Sequence, residues 1–143
     1  MSLNPHEVSK SDIREPIEGA INYLDKVMLL KVSISNHLIK EDYNTAWNNF
    51  EDMIEGLETL NQLLINVQKL LSLNYDNFYC QSRTKSIKEA IEEFNLFLNK
   101  IIKGMENSDY LQVSDLIEFE FDEYIELYKD VFKSLLDFVK ETN

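Results

Sequence analysis

Residues that could bind a transition metal are scarce in this chain. It contains two histidines, His6 and His37, and one cysteine, Cys80, against 26 acidic residues. A di-iron site in a helical bundle needs two Glu-x-x-His pairs, but Leu3 and Ile34 stand three residues before the two histidines. Zinc requires more histidine and cysteine ligands than the chain offers. We therefore predict no zinc or di-iron site.

Carboxylates alone could bind a hard cation such as magnesium or manganese. Glu51 and Glu55 are one helical turn apart, and so are Glu118 and Asp122. These residue types are common on helices, so a cation-binding bundle is an alternative interpretation only. The three glycines stand alone and form no phosphate-binding loop. No cofactor is predicted.

Covalent catalysis has little support in the sequence. Cys80 could act as a nucleophile only with a base nearby, and His37 is the one candidate base. A thiol beside Phe78 and Tyr79 is better explained as a buried side chain. We therefore predict that the protein is not an enzyme.

The segment His37-Leu38-Ile39-Lys40 resembles the His-x-x-Lys-Gly core of histidine phosphotransfer domains, which are small acidic four-helix bundles. The resemblance implies phosphorylation of His37 with assistance from Lys40. Glu41 stands where that family has glycine, and its negative charge would repel the phosphoryl group. Phosphotransfer through His37 and Lys40 is therefore kept as the alternative function.

Charge and hydrophobicity exclude several classes of partner. The net charge is −12, so the chain lacks the basic surface that binds nucleic acid or anionic lipid. No apolar run approaches the ~20 residues of a membrane helix, and the first ten residues contain no secretory signal. We predict a cytoplasmic protein with neither nucleic acid nor membrane as a partner.

Four segments carry apolar residues at helical spacing, and no strand-like alternation persists along the chain. Pro16 marks the first helix start, because the residue before proline avoids helical geometry. Asp42, Ser86 and Asp109 are suitable N-caps for the other helices. We predict a flexible arm over residues 1–15 and one domain over 16–143. Its all-α fold is an antiparallel up-down four-helix bundle, with helices over residues 16–40, 43–73, 86–106 and 109–141.

The two halves of the chain share a pattern. Residues 17–24 match residues 87–94 at an offset of 70, and the segment after Asp42 matches the segment after Asp109 at an offset of 67. Either the fold repeats an αα-hairpin, or two heptad-like patterns match by chance. The sequence leaves both explanations open.

The second and fourth helices hold most of the negative charge. Residues 42–75 carry a net charge of −4 and residues 109–143 carry −7. Such faces either stay solvated or bind a basic partner. Phe97, Phe119 and Phe132 fall off the apolar stripes and would add apolar contact if exposed.

We therefore predict a non-catalytic protein-interaction module, such as an adaptor, inhibitor or chaperone-like protein, whose partner is a basic or apolar protein. A homodimer and a small-molecule-binding bundle are alternatives. The predicted partner-binding residues are Glu51, Glu55, Glu118, Phe119, Glu120, Asp122 and Glu123.

One stretch of the second helix is similar to known proteins. Its residues are Asp42-Tyr43-x-x-Ala46-x-x-x-Phe50-x-Asp52-Met53-Ile54-Glu55-Gly56-Leu57. They resemble segments of small helical bacterial proteins known only as domains of unknown function. The resemblance implies a helical protein and brings no activity with it. Gly56 also follows Ile-Glu, as Gly19 does, and a glycine inside a helix marks either a close approach of another segment or an exposed position free to vary.

Overall fold

A computed structural model describes residues 10–80 and 85–141 of the chain. These residues form five α-helices and no β-strand, which confirms the predicted all-α fold. None of the five is both long and apolar enough to cross a membrane. The helices are α1 (Lys10–Ile39), α2 (Tyr43–Leu71), α3 (Ile87–Glu106), α4 (Tyr110–Phe119) and α5 (Phe121–Glu141).

Helix α1 begins at Lys10 rather than at Pro16, so the predicted arm is wrong for residues 10–15. Ile13 is only 4% exposed, and its burial extends the apolar stripe by one turn. The Arg14 side chain also binds Glu18 at 3.0 Å. These contacts keep the first turns helical although Pro16 lacks an N–H group for the helical hydrogen bond. Residues 1–9 of the predicted arm lie outside the described part of the chain.

The predicted helix over residues 109–141 is in fact two helices. Glu120 separates α4 from α5 and has φ −122° and ψ −21°. Helical hydrogen bonding resumes at once, since the Tyr124 N–H donates to the Glu120 carbonyl at 3.3 Å. The break falls within residues 118–122, where acidic and aromatic residues alternate. Aromatic residues favour strands over helices, which weakens the helix locally.

Helix α1 packs closely against both α2 and α5. Two ion pairs join it to α5: Lys31 Nζ lies 2.6 Å from Asp122 Oδ1, and Lys129 Nζ lies 2.6 Å from Asp25 Oδ1. The residue number rises along α1 as the paired number falls along α5, so the two helices run antiparallel. The hydrogen bond to Asp25 holds the pKa of Lys129 above its ordinary value.

Aromatic rings fill the space between α3 and α5. Phe94 stacks on Tyr128 with ring centroids 3.9 Å apart, and Phe97 stacks on Tyr124 at 4.3 Å. Phe132 meets Tyr128 edge to face at 5.3 Å. Phe97 and Phe132 are 2% and 0% exposed, so the condition for an apolar patch is not met and these two residues add no exposed apolar contact. Both helices bury a wider face than their main apolar stripes, because each packs against more than one neighbour.

The α1–α2 and α3–α4 turns have nearly the same geometry. Glu41 and Ser108 both adopt positive φ, at 60° and 57°. The next residues, Asp42 and Asp109, each donate their backbone N–H to the carbonyl five residues earlier at 2.8 Å. As predicted, both aspartates precede a helix, but only the Asp109 side chain accepts a capping hydrogen bond, from the Gln112 N–H at 3.4 Å.

The two Ile-Glu-Gly glycines have different surroundings. A Cβ atom added to Gly19 would meet no atom within 4 Å. The same atom on Gly56 would overlap the hydroxyl end of the Tyr23 ring. A side chain of α1, rather than another backbone, therefore occupies the space over Gly56.

Substituting these glycines should have opposite effects on stability. We expect Gly19→Ala to raise the free energy of unfolding by about 0.5–1 kcal/mol, because alanine is the better helix former. Gly56→Ala should lower it, because the Tyr23 ring must leave its place on α2. Urea denaturation measures both. In a Tyr23→Ala background Gly56→Ala should become stabilising, and a loss of stability there would contradict this explanation.

Candidate partner-binding surface

The junction between α4 and α5 exposes a phenylalanine among carboxylates. Phe119 is the last residue of α4 and is 73% exposed. Glu118 and Glu123 are also exposed, and Glu120 is half-buried. An exposed phenylalanine forgoes roughly 1.5–3 kcal/mol that burial would provide. A partner that covers Phe119 would therefore gain binding energy at this position.

The carboxylates around Phe119 differ in their pairing. No lysine, arginine or histidine in residues 10–80 and 85–141 makes an ion pair with Glu118, Glu120 or Glu123. Asp122 is different, because it is bound to Lys31 within the protein. Burial raises the pKa of Tyr124, and the charges of Glu120 and Glu123 raise it further. Glu118, Glu120 and Glu123 thus have no ion-pair partner among the described residues, and the nearby charge of Lys85 offsets only part of their effect on the pKa of Tyr124.

Helices α1 and α4, which pack against each other, both carry exposed apolar residues. Val32 is 54% exposed, Ile39 73% and Leu111 77%. Helix α4 packs against α1. The ion pair of Lys31 with Asp122 holds α1 beside the first turn of α5, and Tyr43, which follows the α1–α2 turn, stacks on Tyr110 at the start of α4. Val32 therefore lies towards the α4–α5 junction, whereas Ile39 and Leu111 lie towards the other end of α4. We call the surface formed by Val32, Ile39, Leu111, Glu118 and Phe119 the α1–α4 face.

Sequence analysis missed the apolar part of the α1–α4 face. Val32 and Ile39 fall off the apolar stripe of α1, and Leu111 falls off that of α4. An apolar residue on the polar side of a helix is the sequence signal that marks such positions. Single exposed apolar residues are common, and Phe119 is distinguished from them by its position between Glu118 and Glu120.

The two acidic groups predicted to bind a partner do not share one surface. Glu51 and Glu55 are exposed on α2, and α1 packs against both α2 and α5. Helix α1 therefore lies between these carboxylates and the α4–α5 junction. Tyr23 of α1 lies close to the carboxylates of α2. Burial raises the pKa of Tyr23, and the charges of Asp52 and Glu55 raise it further.

The residues of the phosphotransfer alternative lie at the end of α1. His37 is in the last turn, and its Nδ1 is buried, 3.3 Å from Asp42 Oδ2 without a hydrogen bond. Lys40 is exposed just past the helix. The Asp42 carboxylate beside the imidazole would repel a phosphoryl group on that nitrogen. This repulsion acts at Nδ1 and not at Nε2, the other ring nitrogen of His37, so phosphotransfer through His37 and Lys40 stays an alternative.

No metal site is evident in the part of the chain that the structure describes. Its His, Cys, Asp and Glu side chains form no group of three or more that could hold a metal ion. Cys80 is buried. Neither the acidic pair on α2 nor the one at the α4–α5 junction belongs to such a group.

Fold and surface together define an all-helical domain with an acidic and partly apolar face. The chain belongs to a family described as a domain of unknown function (DUF8042), whose model matches residues 15–136. This match confirms the resemblance to uncharacterised proteins noted in the α2 segment. No curated protein and no solved structure matches the chain.

Proposed function

We propose that this protein is a non-catalytic interaction domain whose α1–α4 face binds a basic amphipathic helix of a partner protein. The observation that supports this function is Phe119, which is 73% exposed and flanked by carboxylates without a described cationic partner. A basic helix matches this surface in charge, and its apolar side would cover Phe119 and Leu111.

Apolar burial and charge would contribute differently to binding. Covering exposed apolar side chains supplies affinity, whereas unpaired carboxylates increase the association rate and select basic partners. A helix presents apolar residues at positions i, i+4 and i+7 on one side. Lysine or arginine residues bordering that side would approach Glu118 and Glu123. Glu51 and Glu55 lie across α1 and would act through the long-range field.

We infer an antiparallel four-helix bundle in which α4 and α5 together form the fourth helix, and in which two αα-hairpins repeat. The matching turns support the repeat. So do two contacts between positions 67 apart: Tyr43 stacks on Tyr110 with centroids 4.0 Å apart, and Tyr128 hydrogen-bonds to Asn61. If an approximate twofold axis relates the two hairpins, a residue near that axis contacts the equivalent residue of the other hairpin, as these pairs do.

A cytoplasmic location belongs to the same proposal. The sequence contains one cysteine, so it can form no internal disulfide. Small secreted domains commonly depend on disulfides, which favours a reducing compartment for this chain.

Site-specific cross-linking tests the proposed function. A photoreactive phenylalanine analogue is placed at position 119 and, as a control, at position 70, where Leu70 of α2 is 43% exposed. We expect position 119 to cross-link to a lysine- and arginine-rich helical segment, with a yield that falls as salt screens the charges. Equal yields from both positions, or a cross-linked segment without excess basic residues, would contradict the proposal.

A further inference from the structure

A groove of about 470 Å³ lies between α2, α3 and residues 74–76. The backbones of α2 and α3 stay apart there, whereas α1 packs closely against its neighbours. The volume falls in the range of small-molecule sites, roughly 300–1,000 Å³. We propose that this groove binds a neutral nucleoside through the amide-like edge of its base.

Side-chain hydrogen bonds link the protein core to the floor of this groove. The fully buried Tyr128 donates its hydroxyl to Asn61 Oδ1, and Asn61 Nδ2 donates to Asn95 Oδ1 at 3.2 Å. Burial raises the pKa of Tyr128, so this hydroxyl keeps its proton at neutral pH. Asn95 Oδ1 accepts this bond with one of its two lone pairs, so the Asn95 carboxamide keeps an acceptor as well as its N–H donors for a ligand. The series of hydrogen bonds from Tyr128 through Asn61 thus holds the Asn95 carboxamide in a fixed orientation at the groove.

The remaining lining fits a planar ring with a polar edge. Leu64, Ile65 and Ile91 supply apolar surface, and Gln68 adds a second carboxamide. Tyr75 is held at one end, where its hydroxyl donates to the Leu64 carbonyl at 2.6 Å. Apolar walls suit the faces of a heterocycle, and asparagine and glutamine side chains pair with the donor and acceptor atoms of adenine.

The charges of the groove favour a neutral ligand. Lys88 is the one cation among its lining residues, and its Nζ lies 3.2 Å from Asp76 Oδ1. Glu92 adds a second carboxylate to the same lining. A phosphate group would meet net negative charge here and would be repelled. The nucleoside should therefore bind better than its monophosphate.

Calorimetric titration of the full chain with adenosine and with adenosine 5′-monophosphate tests this proposal. We expect adenosine to bind and the monophosphate to bind at least about tenfold more weakly, because of the negative lining. Failure of adenosine to bind at millimolar concentration would overturn the proposal. So would a monophosphate that binds as tightly as adenosine. The α1–α4 face takes no part in either result.

Two substitutions locate the binding in the groove. Asn95→Leu should weaken adenosine binding by about tenfold or more, because it removes the carboxamide. Asn99→Leu, at an exposed position on the same helix, is the matched control and should leave binding unchanged. Ile65→Trp fills the groove from a residue that is 43% exposed, and it should abolish binding with the fold intact. Adenosine affinity that survives both Asn95→Leu and Ile65→Trp would overturn the site.

Discussion

Replacing Phe97 with alanine should lower the free energy of unfolding by about 3–5 kcal/mol, the usual cost of removing a buried aromatic ring. Phe97 is 2% exposed, stacks on Tyr124, and lies 6.3 Å from the Phe121 ring, centroid to centroid. Its removal would leave a cavity between α3 and α5 that backbone movement can fill only in part. Urea denaturation followed by far-ultraviolet circular dichroism measures the change.

Phe119→Ala is the matched control for this substitution. Phe119 also lies off the main apolar stripes, but it is 73% exposed, so we expect a change of less than about 0.5 kcal/mol. Because Phe97→Ala and Phe119→Ala remove the same side chain, a difference between their effects on stability measures the effect of burial. Equal effects of the two substitutions would contradict the packing of α3 against α5 described above.

Alkaline pH should destabilise the protein strongly through Tyr75 and Tyr128. Burial raises the pKa of both hydroxyls well above the ordinary value of about 10. The unfolded chain therefore releases these protons first, and it binds fewer protons than the folded chain above about pH 10. The contribution of the two tyrosines to the free energy of unfolding is fully present below that pH. Above it the free energy of unfolding falls as the pH rises, by about 1.4 kcal/mol per pH unit for each tyrosine. By about pH 12 the two together would cost about 5 kcal/mol, a large part of a typical domain's stability.

Urea denaturation at several pH values above neutral tests this expectation. Tyr75→Phe should reduce the slope of stability against pH by about half, because one of the two buried hydroxyls is removed. Tyr79→Phe changes a tyrosine that is 58% exposed, and it should leave the slope as it is. An unchanged slope in Tyr75→Phe would show that another group controls the alkaline transition.

Local sequence signals were sufficient to predict that the chain is helical and to predict where several helices begin or end. The start of α2 at Tyr43 and the end of α3 at Glu106 agree with the predicted boundaries. Ser86 caps α3 as its spacing from Glu89 predicts, since its hydroxyl accepts the Glu89 N–H at 3.1 Å. Caps and turns involve residues close in sequence, which explains why they could be predicted.

Features that depend on packing between distant segments could not be predicted. The early start of α1 needs the burial of Ile13, and the sequence alone does not show what covers that residue. Phe97 and Phe119 both fall off the main stripes, yet one is buried between α3 and α5 and the other is exposed. The α2–α3 groove likewise depends on how far apart two helices lie. Helical periodicity contains no information on that distance.

The most direct test of partner binding by the α1–α4 face uses the partner segment that cross-linking identifies. Its dissociation constant is measured with the wild type and with Phe119→Ser over a range of salt concentrations. We predict that wild-type affinity falls as salt rises. We also predict that Phe119→Ser weakens binding by about tenfold or more at every salt concentration, because an apolar contact is lost. A Phe119→Ser protein that binds as tightly as the wild type would contradict the claim that the α1–α4 face is the binding surface.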